Sequence, residues 1–186
     1  EIVQVAAVKI DVEGRIIDRF NKYLKPSKPV GDSELIHGYS DSFLSKHRKN
    51  PALAIREFCK FIKGSVLVGH NVNYDINILA SQAARLGLTG PEFQGSFDTL
   101  DIAKRFYPEL TDHRLETLSR HLGAEVISDH RAQNDVLATK DILIRMVNEK
   151  LKPVLGARMN VYDKYKGKFA QICRDYEELR SASTSL

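Results

Sequence analysis

The chain has 186 residues, and 42% of them are hydrophobic, which is enough for one domain with a buried core. No run approaches the roughly 20 apolar residues of a membrane span, and no secretory signal pattern is present. The formal net charge of +4 permits an anionic partner without requiring one. The two cysteines, Cys59 and Cys173, lack metal-type spacing, which favours a reducing, cytoplasmic setting.

The first part of the chain predicts a β-hairpin, two helices and a short strand. Apolar and β-branched residues predict the hairpin strands, and Gly14 suits the turn between them. Ser40 or Asp41 is the expected N-cap of the first helix, and Pro51 suits the first turn of the second. A short apolar run then predicts a strand buried on both faces. The bounds are 1–10 and 15–24 for the hairpin, 40–46 and 51–63 for the helices, and 66–68 for the strand.

Helices dominate the rest of the predicted order. Their expected ranges are 73–86, 100–106, 114–122 and 132–150, with a weak strand or turn at 96–98. This order predicts an α/β fold in which helices flank a mixed sheet. Residues 1–150 are expected to form that domain, and residues 151–186 a charged C-terminal helix and tail.

Asp75 lies in the first turn of the predicted helix 73–86. At helical spacing it continues a mostly apolar stripe, predicted to face the core, formed by Ile78, Leu79, Gln82, Ala83 and Leu86. A carboxylate pointing inward needs a partner. The free N–H groups and dipole of the helix are one candidate partner, so the position alone does not establish a functional role.

A second constellation, His130-Arg131-Ala132-Gln133-Asn134-Asp135, opens the last predicted helix. Asp135 is in line with Ala138, Thr139, Ile142 and Met146, and His130 lies in the loop that enters the helix. Taken alone, a loop histidine and a solvated aspartate explain this spacing equally well. Together with Asp75, the pattern gives two aspartates at helix starts with one histidine beside them. Such carboxylates suit Mg²⁺ or Mn²⁺, and histidine suits deprotonation of an attacking water.

Two segments resemble motifs of the DEDDh (DnaQ-like) 3′→5′ exonuclease family, which includes the proofreading subunit of bacterial DNA polymerase III. Gly69-His70-Asn71-Val72-Asn73-Tyr74-Asp75 resembles the second motif, and residues 130–135 resemble the third, whose histidine defines the subtype. Ile36-His37-Gly38-Tyr39 and Phe97-Asp98-Thr99-Leu100 resemble connecting segments. The resemblance runs from about Glu1 to Met146 and implies a ribonuclease-H-like fold.

The resemblance also implies roles for individual residues. Asp75 and Asp135 become metal-site carboxylates for two Mg²⁺ or Mn²⁺ ions, and His130 becomes the general base. Asn71 is expected to help position substrate. His37 is expected either to face the substrate or to serve a structural role.

The first motif of the family, an Asp-x-Glu on a central strand before the hairpin, is absent from the sequence. Asp11-Val12-Glu13 has the spelling but is expected to form the hairpin turn, and Asp175-Tyr176-Glu177 is expected on a solvated helix. Our preferred hypothesis is an upstream segment that carries the motif. A natural chain without it is expected to be an inactive relative.

The predicted function is removal of 3′-terminal nucleotides from single-stranded DNA ends, of the proofreading or repair type. A polymerase or helicase is a possible partner, and no membrane is involved. An exoribonuclease of the same family, or a catalytically inactive nucleic-acid-binding or scaffold relative, is the alternative. Lys164, Lys166 and Lys168, interleaved with aromatic residues, could grip single strands, although a solvated helix is the preferred interpretation.

Overall fold

The structure, a computed structural model, describes residues 1–11, 13–47, 49–151 and 153. The predicted tail therefore lies outside the described residues, apart from its first positions. The strands are β1 Gln4–Ile10, β2 Ile16–Tyr23, β3 Val66–Gly69 and β4 Gly95–Asp98. The helices are α1 Glu34–His37, α2 Asp41–His47, α3 Pro51–Ile62, α4 Val72–Arg85, α5 Thr99–Phe106, α6 Leu115–His121 and α7 Ala132–Met146. A π-helical turn, Val147–Leu151, extends α7.

The predicted hairpin is formed by β1 and β2, which pair antiparallel. Its turn is held by Asp11, whose Oδ1 accepts hydrogen bonds from the amides of Glu13 and Arg15, at 3.0 and 2.8 Å. The guanidinium of Arg15 also forms ion pairs with the carboxylates of Asp11 and Glu13. Gly14 has a φ of 83°, a conformation that glycine adopts without strain. Asp11 and Glu13 are thus turn residues, as predicted, and not metal ligands.

Side-chain caps define the starts of α2 and α3. Ser40 Oγ accepts a hydrogen bond from the amide of Phe43 at 3.1 Å, which confirms Ser40 as the cap of α2. Asn50 Oδ1 accepts from the amide of Leu53 at 3.2 Å, and Pro51 fills the first turn of α3. The short helix α1 was not predicted.

The strands β3 and β4 pair in parallel, and a helix follows each of them directly. Gly69 is the register partner of Asp98, so both strands end at the same edge, where α4 and α5 begin. Each residue of β3 is partly exposed, so the prediction of a strand buried on both faces is wrong. The reason is that, in the described part of the chain, β3 has a strand neighbour on one side only.

The core has two parts. One lies between β4 and the helices α5, α6 and α7, and its fully buried members include Phe97, Ile102, Leu118 and Ile142. The other lies under the hairpin against α3 and α4, and includes Leu24, Ile55 and Ala83. The longest helix of the described residues, α7, packs against β1, β3, α5 and α6 and so connects both sheets.

The α/β prediction is confirmed: helices flank two small sheets, one antiparallel and one parallel. Within the described residues, no helix is both long and apolar enough to cross a membrane.

Candidate active site

The loop between β3 and α4 places Asp75 at the open end of the parallel strands. Asn71 adopts a left-handed conformation, with φ 68°, and its side chain does not cap the helix that begins at the next residue. Of the predicted stripe on α4, Leu79, Gln82 and Ala83 are buried, whereas Asp75 and Ile78 are exposed. The expectation that Asp75 faces the core is therefore wrong, because the first turn of α4 lies beyond the end of β3.

The missing cap of α4 is supplied by Asp98, at the end of β4. Its Oδ1 accepts from the amide of Asn71 at 2.8 Å, and its Oδ2 from the amide of Val72 at 3.1 Å. The same Oδ1 accepts from the amide of Leu100 at 2.9 Å and so caps α5 as well. One carboxylate thus satisfies N–H groups at two helix starts and fixes the first turn that carries Asp75.

His70 ties the same loop to the following elements. Its Nε2 donates to the carbonyl oxygen of His113 at 2.7 Å, and its Nδ1 lies 3.0 Å from the hydroxyl of Thr99. That hydroxyl also lies 3.0 Å from the carbonyl oxygen of Gly69. Burial lowers the pKa of His70. The hydrogen bond to the backbone of His113 raises this pKa, and the charge of the His113 side chain lowers it. Because both ring nitrogens have internal partners, His70 is a structural residue of the loop.

The start of α7 presents the second group of predicted site residues. His130 precedes the helix with a left-handed backbone, φ 62°, and its side chain is exposed. Asp135 lies in the first turn, and its Oδ1 accepts a hydrogen bond of 2.6 Å from the hydroxyl of Ser128. Below Asp135, Ala138, Thr139, Ile142 and Met146 are all buried, so the predicted core stripe of α7 is present.

Burial and neighbouring carboxylates both act on Asp75. Loss of hydration raises the pKa of Asp75 to about 6, and repulsion from the carboxylates of Asp98 and Asp135 adds to the rise. The Asp75 side chain nevertheless keeps solvent exposure.

His37 lies at the end of α1, on the side of the site formed by the start of α7. Its Nδ1 accepts from the amide of Tyr39 at 3.1 Å, so the proton of the neutral ring is on Nε2, which lies 3.3 Å from Ser33 Oγ. A methyl group added at Gly38 would lie 3.9 Å from Nη2 of Arg131, which follows His130. The α1 end and the entry to α7 are thus neighbours.

The donor set around Asp75 and Asp135 is incomplete for a closed metal site. Among the described residues, no group of three or more histidine, cysteine, aspartate or glutamate side chains could hold a metal ion. The candidate site therefore consists of the exposed Asp75 and the partly buried Asp135, with His130 on the loop before α7.

Comparison with known families adds the deciding observation, because residues 1–143 match the exonuclease family RNase_T. The chain belongs to this family. The family resemblance predicted from residues 69–75 and 130–135 is thereby confirmed, and the chain is an exonuclease domain.

Two curated relatives of this exonuclease domain are DNA polymerase III proteins of the PolC type. Those of Halalkalibacterium halodurans and Bacillus subtilis are 36% and 31% identical to it, over 150 and 149 residues. Each match covers 80% of this chain but 10% of the relative. The chain therefore spans about a tenth of the length of these relatives.

Solved exonuclease structures share the fold of the domain. Exonuclease I of E. coli in complex with a dA16 oligonucleotide has a TM-score of 0.70 at 21% identity, covering 86% of this chain and 39% of that one. Exonuclease X in complex with 5′ overhanging duplex DNA has a TM-score of 0.58 at 22% identity, covering 80% and 83%. These likenesses confirm the predicted ribonuclease-H-like fold.

Several residues that shape the candidate site were not predicted from the sequence as part of it. Asp98 carried a usable signal, because an aspartate directly before a helix start is a preferred N-cap. Ser128 and Gln4 carried none: Ser128 lies in an irregular loop, and Gln4 reaches the start of α7 across 128 positions of the chain.

Proposed function

We propose that this exonuclease domain removes nucleotides from the 3′ ends of single-stranded DNA by metal-assisted hydrolysis. The observation that carries the proposal is the placement of Asp75 and Asp135 in the first turns of α4 and α7, in a chain that matches the exonuclease family. His130, on the loop that enters α7, is proposed as the general base.

The donor set fits a hard divalent cation. Mg²⁺ is commonly bound by one or two carboxylates, together with water and substrate phosphate. Asp75 and Asp135 provide such carboxylates, and a bound cation would offset both the burial and the carboxylate repulsion that raise the pKa of Asp75. When bound, Mg²⁺ or Mn²⁺ stabilises charge on the oxygens of the phosphodiester under attack. The proposed metal ligands are therefore Asp75 and Asp135.

The remaining site residues act on water and substrate. His130 is proposed to take the proton from the attacking water; its exposed position at the entry of α7 leaves the imidazole free to turn towards the carboxylates. Asn71 and His37 are proposed to contact the terminal nucleotide. Asn71 lies directly before α4, and His37 is the last residue of α1.

Two ions need more carboxylates than Asp75 and Asp135 provide. We propose that an Asp-x-Glu on a further strand supplies them. The support is the sheet topology: in the described part of the chain, β1 pairs only with β2 and β3 only with β4. In the described residues β1 and β3 therefore each have an edge that a further strand can pair with, and α7 contacts both sheets.

The preference for DNA rests on the relatives. The PolC-type relatives are DNA polymerases by name, and an Exonuclease I with the same fold has been solved with a dT13 oligonucleotide. By analogy we propose a polymerase as the partner, while an exoribonuclease remains the alternative within the family. The predicted role of residues 151–186 and the cytoplasmic setting stay predictions.

The test is hydrolysis of 3′-overhang DNA and of RNA of matched sequence, in Mg²⁺ and in Mn²⁺, by the protein in its natural full length. Asp75→Asn and Asp135→Asn should each abolish the activity, while Asp18→Asn, which alters an exposed aspartate on β2, should not. Activity that survives both site variants would refute the assignment. A natural-length protein that binds single strands without cleaving them would instead establish the inactive alternative.

A further inference from the structure

Gln4, the first residue of β1, joins three elements through one side chain. Its Oε1 accepts hydrogen bonds from the amide of Ala132, at 3.0 Å, and from the hydroxyl of Tyr39, at 2.9 Å. Its Nε2 donates to Oδ1 of Asn21 on β2, at 2.9 Å. Gln4 is half-buried, so these partners replace hydration that the amide has largely lost.

The bond to Ala132 supplies a cap that α7 lacks. Arg131, at the N-cap position, makes no side-chain hydrogen bond to the helix, so the first amide of α7 has no local acceptor. The acceptor is instead Gln4 Oε1 on β1, 128 positions earlier in the chain. The acceptor therefore fixes where α7 starts relative to the hairpin, and with it the backbone that carries His130 and Asp135.

The bond to Tyr39 reaches the other side of the site. Tyr39 is only 8% exposed, and its ring stacks on that of His37 with centroids 5.4 Å apart. Burial raises the pKa of Tyr39 to about 12, with nearby Tyr23 contributing, so the hydroxyl remains a donor at any physiological pH. The same oxygen of Gln4 thus holds the His37 segment and the start of α7 at a common point.

We infer that Gln4 is a positioning residue for the nuclease site: its amide oxygen sets the position of the His130–Asp135 turn against the His37 segment. Gln4 itself does not touch the reacting atoms. The catalytic consequence of this inference rests on the proposed function. Its structural part, that Gln4 controls the start of α7, does not depend on the proposed function.

The chain offers matched variants that separate the amide oxygen from the rest of the side chain. Gln4→Met keeps the length but removes the acceptor, and Gln4→Glu keeps two acceptor oxygens but loses the donor to Asn21. Tyr39→Phe removes only the hydroxyl. Gln133→Ala is the control, because it breaks the neighbouring 2.8 Å bond from Asn21 to Gln133 without touching Gln4 Oε1.

The first measurement is amide hydrogen exchange at the start of α7 in the natural-length protein. Loss of one hydrogen bond should speed exchange of residues 130–135 about fivefold in Gln4→Met. In Gln4→Glu and Gln133→Ala, residues 130–135 should exchange at the wild-type rate. The amides of α3 should exchange at the wild-type rate in every variant. If residues 130–135 of Gln4→Met exchange at the same rate as in the wild type, the inference is overturned, whether or not the protein is a nuclease.

The second measurement separates positioning from stability. Because a small misplacement of a catalytic group is costly, kcat of Gln4→Met should fall about tenfold or more with KM little changed, and Gln4→Glu should restore it. If kcat stays low in Gln4→Glu, and the loss of kcat across the variants follows their global unfolding midpoints, Gln4 has a merely structural role. An inactive wild type would defeat the proposed function alone, since the exchange result still decides the role of Gln4.

Discussion

Ser128 Oγ donates a hydrogen bond of 2.6 Å to Oδ1 of Asp135, from a loop seven positions earlier in the chain. This bond orients the carboxylate and leaves Oδ2 free for another partner. A residue that orients a metal-binding side chain commonly matters nearly as much as the ligand itself.

Ser128→Ala is therefore expected to weaken Mn²⁺ binding by about tenfold, because Asp135 loses its orienting donor. Titration calorimetry on the protein measures this directly. Ser42→Ala, on the surface of α2, is a suitable control, and Ser128→Thr should retain most of the affinity. Unchanged Mn²⁺ affinity in Ser128→Ala would mean that the bond is incidental.

Asp98→Ala removes the acceptor of three amides, those of Asn71, Val72 and Leu100. The free energy of unfolding should fall by about 2 kcal/mol, because two helix starts lose their cap together. Asp98→Asn, which keeps an acceptor oxygen, should cost less. Urea unfolding measures both, and Asp101→Ala on the same helix serves as the comparison. Equal stability of Asp98→Ala and wild type would contradict the capping role.

The sequence predicted what depends on local signals. The hairpin, α2 and α3 follow from Gly14, Ser40 and Pro51, whose conformational preferences act within a few residues. Helix α1 was missed because four residues are too few to show a helical period. The burial of β3 was mispredicted because burial depends on neighbouring strands, which a short apolar run does not specify.

The same distinction holds at the site. Asp75 and Asp135 were predicted from motif spelling and helical position, and the structure places them in the first turns of α4 and α7. The supports of the site were not predicted. The bonds of Asp98 to the start of α4 and of Gln4 to the start of α7 are tertiary contacts that no local pattern predicts, although the capping of α5 by Asp98 is local.

Asp75 predicts a dependence of stability on pH. Its pKa is raised from an ordinary value of 3.8 to about 6, so the native state holds this proton more tightly than the unfolded state. Stability is then greatest below the ordinary pKa and declines as the pH rises from about 4 to about 6. Because Asp75 is exposed to solvent, the decline should amount to no more than about 1 kcal/mol.

The measurement is urea unfolding of wild type and Asp75→Asn between pH 4 and pH 8, without divalent ions. Asp75→Asn should be the more stable protein at pH 8, and the difference should vanish near pH 4. Added Mg²⁺ should raise the stability of the wild type at pH 8 to that of Asp75→Asn. A variant less stable than wild type at pH 8 would show that the carboxylate is relieved by a partner within the protein.

Gly69 ends β3 where the chain turns towards α4, and it leaves no room for a side chain. A Cβ added there would lie 2.9 Å from Cβ of Val72 and 3.1 Å from its Cα. Since a backbone atom cannot yield as a flexible side chain does, Gly69→Ala should lower the free energy of unfolding by about 2 kcal/mol. Gly90→Ala is the matched control, because nothing lies within 4 Å of its added Cβ. Thermal and urea unfolding should find Gly90→Ala near wild type, and the overpacked turn should also displace Asp75. If both alanine variants unfold like the wild type, the turn before α4 is more adaptable than this contact implies.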